Sequence, residues 1–180
     1  MKKNLLLFLL FFSIPIVAQN KKVATNGTIF FEASVPFFEA VEAKNNKVYS
    51  AINTKNGSIY FEVYISLFQF ERSLMQDHFN TNYMESHKFP KSYFKGVIEN
   101  FSINDLSTSP NQYYIKGRIT IHGVSKNIRV TASVYKTTQS AIVIQSKFAL
   151  NTDDFKIEIP SLVSNKISKT VNVTLYTNFH

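Results

Sequence analysis

The chain has neither cysteine nor tryptophan in 180 residues, and only five glycines and five prolines. Without thiols there is no disulfide, no thiolate nucleophile, no cysteine-ligated zinc or iron-sulfur centre, and no cysteine to carry a lipid anchor behind an export signal. So few glycines leave no glycine-rich oxyanion loop, and the sequence holds no nucleophile elbow. Acidic residues are scarce too, 12 against 20 basic ones, which gives a formal charge of +8. The excess is scattered, with no cluster beyond pairs such as Lys21-Lys22, whereas nucleic-acid binding wants a basic stripe with stacking aromatics. No nucleic-acid partner is expected. These charges read as solvated strand faces, with weak, transient contact to anionic membrane surfaces as the other reading.

Long apolar runs are missing as well, apart from Leu5 to Phe12. That run is too short to span a bilayer; it follows the basic Met1-Lys2-Lys3, is broken by Pro15 and ends near a cleavage point after Ala18. Residues 1–18 are therefore expected to be a signal peptide, and 19–180 one exported domain, periplasmic or secreted. A domain of that size builds its core without covalent staples.

What the chain does have is period-two alternation. Ile59, Phe61, Val63, Ile65 and Leu67 fall on alternate positions, as do Tyr113, Ile115, Gly117, Ile119 and Ile121, with Lys116, Arg118 and Thr120 between them. Ile128, Val130, Ala132 and Val134 repeat the pattern, as do Ile142, Ile144, Phe148 and Leu150, interrupted by Ser146, and Val171, Val173, Leu175 and Phe179. Less regular strands are expected at Gly27 to Ala33, Lys47 to Asn53 and Ser92 to Ile103. With turn chemistry at Lys55-Asn56-Gly57, around Pro110, at His122-Gly123 and at Lys136 to Ser140, this predicts about eight antiparallel strands in a barrel or sandwich.

One segment breaks the pattern. After Leu67 the apolar phase slips, to Phe68 and Phe70 on the opposite parity, which marks a bulge or barrel corner. Leu74, Met75, Phe79, Tyr83 and Met84 then recur mainly at helical intervals. Ser73 with Gln76 reads as a capping box, so the helix is expected from about Leu74 to Phe79 or slightly beyond, with a further turn through Met84-Glu85-Ser86 before Pro90. These apolar residues either line a ligand pocket or seal the end of a packed core, and the sequence leaves both open. His78 and His87 lie near Asp77 and Glu85 without the i, i+4 spacing of a helical zinc site. His122, in a turn, suits a hydrogen bond to loop backbone. No metal, cofactor or catalytic residue is expected.

Two separated motifs carry a family likeness. Leu74-Met75-x-x-His78-Phe79-x-x-x-Tyr83-Met84-Glu85-Ser86-x-x-Phe89-Pro90-x-x-x-Phe94-x-Gly96 and Ile119-Thr120-Ile121-His122-Gly123-Val124-Ser125-Lys126 resemble the YceI family of exported lipid-binding proteins, with a weaker match at Asp154-Phe155-Lys156-Ile157 and Pro160. At Lys156 the family often has glycine. The resemblance implies an all-β, antiparallel, eight-stranded lipocalin-like barrel, with the helical segment at about residues 73–88 laid beside it. Its interior would hold a polyisoprenoid or other long-chain or fatty lipid; the alternative is an envelope module with a closed barrel filled by its own side chains. The residues expected to touch a ligand are Phe68, Phe70, Leu74, Met75, Phe79, Tyr83, Phe94 and Phe148. Lys88, Lys91, Lys95 and Arg72 are candidates to attract a phosphate head at the mouth. Monomer and homodimer both remain open.

Overall fold

The structure is a computed structural model that describes residues 20–180, so the expected signal peptide lies outside the described residues. Eight strands follow in chain order: β1 (Lys21–Ser34), β2 (Glu42–Asn53), β3 (Ser58–Tyr64), β4 (Lys91–Ile98), β5 (Asn111–Ile121), β6 (Val124–Lys136), β7 (Ile142–Asn151) and β8 (Ile167–Phe179). Each pairs antiparallel with the next, and β8 returns to β1 through pairs such as Phe31 with Val173, so the sheet closes into a barrel with no free edge. Closure is what the alternation requires. An open sheet with one apolar face would have to find a second layer, and here the apolar faces meet one another.

Departures from the expected strands have local causes. β3 stops at Tyr64, and Ile65–Leu67 form a 3₁₀ turn instead of a last strand residue pair; this is the physical form of the phase slip. The chain there leaves the sheet, pairing with it again through backbone only where Lys44 and Gln69 exchange hydrogen bonds of 3.0 and 2.9 Å. β4 ends at Ile98, five residues earlier than expected, because the chain turns away and tucks Leu106 under the barrel as part of its core. β1 and β2 are both longer than their apolar patterns suggested: each carries a register irregularity, and the polar stretch Lys44–Lys47 hid the start of β2.

The helical segment begins at Ser73, but the capping box does not form. Arg72 is the cap residue, without a side-chain bond, and Gln76 Oε1 accepts instead from the Phe70 amide at 3.4 Å. Helix α1 (Ser73–His78) then opens into a π turn over Phe79–Tyr83, longer than the helix expected from spacing. Asn80 and Thr81 explain it: their side chains donate to the carbonyls of Gln76 and Asp77 at 2.9 and 2.7 Å. Side-chain competition of this kind loosens the i to i+4 ladder.

The barrel is not uniform along its axis. At the end holding the β2–β3, β4–β5 and β6–β7 connections, Val48, Ile52, Ile98, Val134, Ile142, Ile144 and Phe179 are fully buried against one another. Ser50 and Thr177 share that packed end, paired hydroxyl to hydroxyl at 2.7 Å, so an inward polar residue carries little penalty. The opposite end receives the β1–β2 loop, the helical segment, the His122-Gly123 turn and the β7–β8 connection.

Candidate functional site

At that opposite end lies a cavity of about 560 Å³. Its walls are the inward stripes of the strands: Ile29 and Phe31 from β1, Phe61 and Val63 from β3, Ile115 and Ile119 from β5, Ile128 and Val130 from β6, Val171 and Val173 from β8. Phe94 closes it from below. The ring lies over the inward positions Gly96 and Gly117, where an added Cβ would come within 2.5 and 2.7 Å of Phe94 Cζ. Two glycines in register on β4 and β5 thus leave the space for one flat aromatic ring.

The roof is aromatic. Phe31, Phe68, Phe70 and Phe79 form a cluster with ring centroids 5.0 to 5.8 Å apart, Phe31 stacking on Phe79 and meeting Phe68 edge on. Such contacts add roughly 0.5–1.5 kcal/mol per pair beyond burial. They fasten the helical segment across β1.

Of the residues singled out from sequence, Phe68, Phe70, Met75, Phe79, Tyr83, Phe94 and Phe148 all line this one cavity. Burial holds the Tyr83 phenol above its ordinary pKa, so it faces the cavity neutral. Leu74 is the exception: it is 62% exposed and points outside. The stripe of the helix that faces inward is Met75, His78 and Phe79, spaced i, i+3, i+4, and Leu74 sits beside it in the first turn.

The basic residues expected at the mouth are engaged elsewhere. Arg72 pairs with Glu39 at 2.6 Å, Lys88 with Glu85, and Lys91 with Glu62 at 2.8 Å. Lys95 lies on the outer wall, its ammonium 5.8 Å from the Tyr60 ring and 5.9 Å from Tyr93. No phosphate cradle is built from these four.

Sequence reading missed Phe31, the hub of the aromatic roof, and Ile157, Ile159 and Val163 from the β7–β8 connection. The signal for Phe31 was present in Ile29-x-Phe31-x-Ala33. For Ile157 and Ile159 there was only a single alternation inside a loop.

His122 ties the rim together. It occupies a two-residue hairpin turn with Gly123, at φ 50° and 73°, the left-handed pair that closes tight hairpins. Its Nδ1 lies 3.2 Å from the Phe155 carbonyl and its Nε2 3.2 Å from Glu85 Oε2, while the ring meets Phe89 edge on at 4.6 Å. Hydrogen bonding to Lys88 first, and to His122 second, holds the Glu85 carboxyl below its usual range. One imidazole thereby joins the helical segment, the β5–β6 turn and the β7–β8 connection. Lys156 closes that connection in the left-handed region at φ 55°, adopting the conformation a glycine takes freely.

A closed antiparallel eight-stranded barrel, packed solid at one end and hollow and apolar at the other, defines a lipocalin-like binding fold. Within that class the chain belongs to the YceI-like domain family, whose model matches residues 21–179. Solved structures agree on the fold. A polyisoprenoid binding domain from Saccharophagus degradans, implicated in plant cell wall breakdown, superposes with a TM-score of 0.78 at 15% identity, covering 90% of this chain and 98% of that one. BcnA of Burkholderia cenocepacia gives 0.69 at 12% identity over 85% and 96%, and the YCEI protein of Campylobacter jejuni 0.52 at 18% over 71% and 77%. No curated protein shows significant similarity to the chain.

Proposed function

We propose that the mature chain is an exported, non-enzymatic carrier that holds one polyisoprenoid or other long-chain amphiphile in the hollow half of its barrel. The observation that carries this reading is the cavity itself. Its volume, about 560 Å³, falls in the range of roughly 300–1,000 Å³ usual for small-molecule sites, and its lining is almost entirely aliphatic and aromatic. Burying roughly a dozen methylenes there at about 0.8 kcal/mol each yields about 10 kcal/mol before ordering costs, enough to retain a chain without a charged anchor. Glu39, the carboxylate at the cavity mouth, is held by Arg72, and the Glu62 carboxylate turns to the outer wall, where Lys91 holds it, which suits retention and leaves neither poised as a general base. The YceI-like family and the polyisoprenoid-binding neighbour support the same class of ligand, and the N-terminal sequence supports export.

A barrel filled throughout by its own side chains, the alternative from sequence, describes the packed end only. The test is organic extraction of protein purified from its native host, followed by mass spectrometry, together with uptake of quinones and polyprenols by the delipidated protein. A bound isoprenoid or acyl lipid at near one-to-one ratio is expected. Folded protein that yields no lipid and takes up neither compound would sink the carrier reading.

A further inference from the structure

The exposed apolar side chains are unevenly placed. Among the described residues, the large hydrophobic side chains left exposed are tyrosines, Val23, and five others: Phe37, Phe38, Leu67, Leu74 and Leu162. The tyrosines carry a hydroxyl to water from the outer wall, and Val23 lies near the start of β1. All five others sit at the cavity end, on the β1–β2 loop, the 3₁₀ turn after β3, helix α1 and the β7–β8 connection. All four segments also supply cavity lining, through Phe38, Ile65, Met75 and Val163. Each thus places one apolar side chain in the mouth and another outside it.

Phe37 is the sharpest case. It is fully exposed, and its φ is 70°. It follows Pro36 in a turn closed by the Phe38 amide on the Val35 carbonyl at 3.2 Å, at the position where a turn with proline second ordinarily takes glycine. A bulky side chain held in the left-handed region, its ring entirely in water, contributes nothing visible to folding. Leu162, 87% exposed, likewise stands in water, in the β7–β8 connection.

We infer that this rim docks the barrel on a lipid bilayer, inserting Phe37, Leu74 and Leu162 among the headgroups so that the cavity mouth faces the hydrocarbon. The inference rests on the carrier reading and names where the cargo is exchanged. Three observations select a bilayer as the occupant. The apolar tips are continuous with the mouth of an apolar cavity; they project singly from separate segments, as wedges, where a protein interface would present a contiguous patch; and most charges around them are paired in place, through Arg72 with Glu39, Lys88 with Glu85, Lys126 with Asp154 and Lys169 with Asp153, the charges outside ion pairs in the same segments being of both signs, Lys156 and Lys166 with Glu71, Asp77 and Glu158. A rim whose remaining charges balance in sign needs no anionic lipid. Docking through it is apolar and insensitive to salt, in contrast to the electrostatic contact that the net charge suggested.

The test uses the mature protein and unilamellar vesicles of phosphatidylcholine, with and without phosphatidylglycerol, in low and high salt. Flotation with pure phosphatidylcholine, unchanged by salt, is expected, and the Phe37→Ser/Leu162→Ser double variant should partition at least roughly tenfold less. Tyr114→Ser on the outer wall should partition as the wild type does. Neither Phe37 nor Leu162 lines the cavity, so the double variant should still load a fluorescent fatty probe delivered from cyclodextrin while losing uptake of the same probe from vesicles. Flotation that requires phosphatidylglycerol or disappears in high salt overturns the inference, as does a wild-type homodimer that the double variant dissolves, since the rim would then cover a second copy. A wild type that loads from cyclodextrin yet never floats leaves the carrier and removes the docking; one that floats yet never loads does the reverse.

Discussion

Tyr60, Glu62 and Lys91 form a hydrogen-bonded chain on the outer wall of β3 and β4, with Tyr60 donating to Glu62 Oε2 at 2.6 Å and Lys91 to Oε1 at 2.8 Å. Burial first, and the bond to Glu62 second, push the Tyr60 phenol up to about 12 from its ordinary 10.0. Lys91 first, then Tyr60, hold the Glu62 carboxyl below its ordinary 4.5. The two shifts act at opposite ends of the pH scale. A raised phenol contributes stability that is present below pH 10 and drains away as pH rises toward about 12; a depressed carboxyl contributes stability present above 4.5 and lost as pH falls below it. The difference in phenolate absorbance between wild type and Tyr60→Phe should therefore titrate near pH 12. In a Glu62→Gln background it should move down without reaching 10.0, because burial outlasts the bond; a midpoint that does not move would assign the whole shift to burial. A second residue-scale prediction concerns the floor of the cavity. An alanine at Gly117 would press its Cβ on the Lys95 carbonyl and within 2.7 Å of Phe94 Cζ, so Gly117→Ala should cost about 2 kcal/mol by urea unfolding.

Among elements, His122 makes a compact join, since one largely buried side chain holds three separate segments. Removing it releases the Phe155 carbonyl to water and leaves Glu85 to Lys88 alone, with all eight strand pairings untouched. Amide exchange in His122→Ala should accordingly rise about tenfold in residues 84–89 and 152–157, the loss of roughly 1.4 kcal/mol of local stability, with β2 and β7 unchanged. Uniform acceleration across the barrel would mean that the turn is part of the global unfolding unit. This join was half legible in the sequence: a histidine before glycine in a turn pointed to a loop carbonyl, and Phe155 supplies it, but Glu85 is 37 residues away and no local pattern announces it. The helical segment divides the same way. Its existence followed from three- and four-residue spacing, whereas its start and its π turn follow from Gln76, Asn80 and Thr81, polar side chains whose choice of backbone partner is decided only once the chain has folded. Of the strands with clean alternation, β7 was found to within a residue, whereas β3 stops short at Tyr64 and β6 and β8 begin earlier, at Val124 and Ile167, in polar residues that carry no pattern; β2 was found only where its polar first half gave way to Val48.

At the scale of the whole molecule, alternation reveals which face of each strand is apolar and says nothing about how far apart opposite faces lie. The inward stripe of β6 reads Ile128, Val130, Ala132, Val134 as one continuous pattern, yet Val130 borders the cavity and Val134 is fully buried in the packed end. What separates them is the other seven strands. Beside Val134, inward residues such as Ile142, Ile144 and Phe179 fill the bore, and Leu106 closes it from beneath; beside Val130, the aromatic roof and the two loops hold the opposite wall away. The same substitution on the same strand should therefore have opposite outcomes. Val134→Phe forces a ring into a filled core and should cost about 2–3 kcal/mol in urea unfolding. Val130→Phe extends into empty volume, so the protein should stay within about 1 kcal/mol of wild type and bind a fluorescent long-chain probe more weakly, because the ring takes space the chain would use. Equal destabilisation at both positions would show that the cavity collapses in solution, and equal probe binding in Val130→Phe would place the ligand outside it.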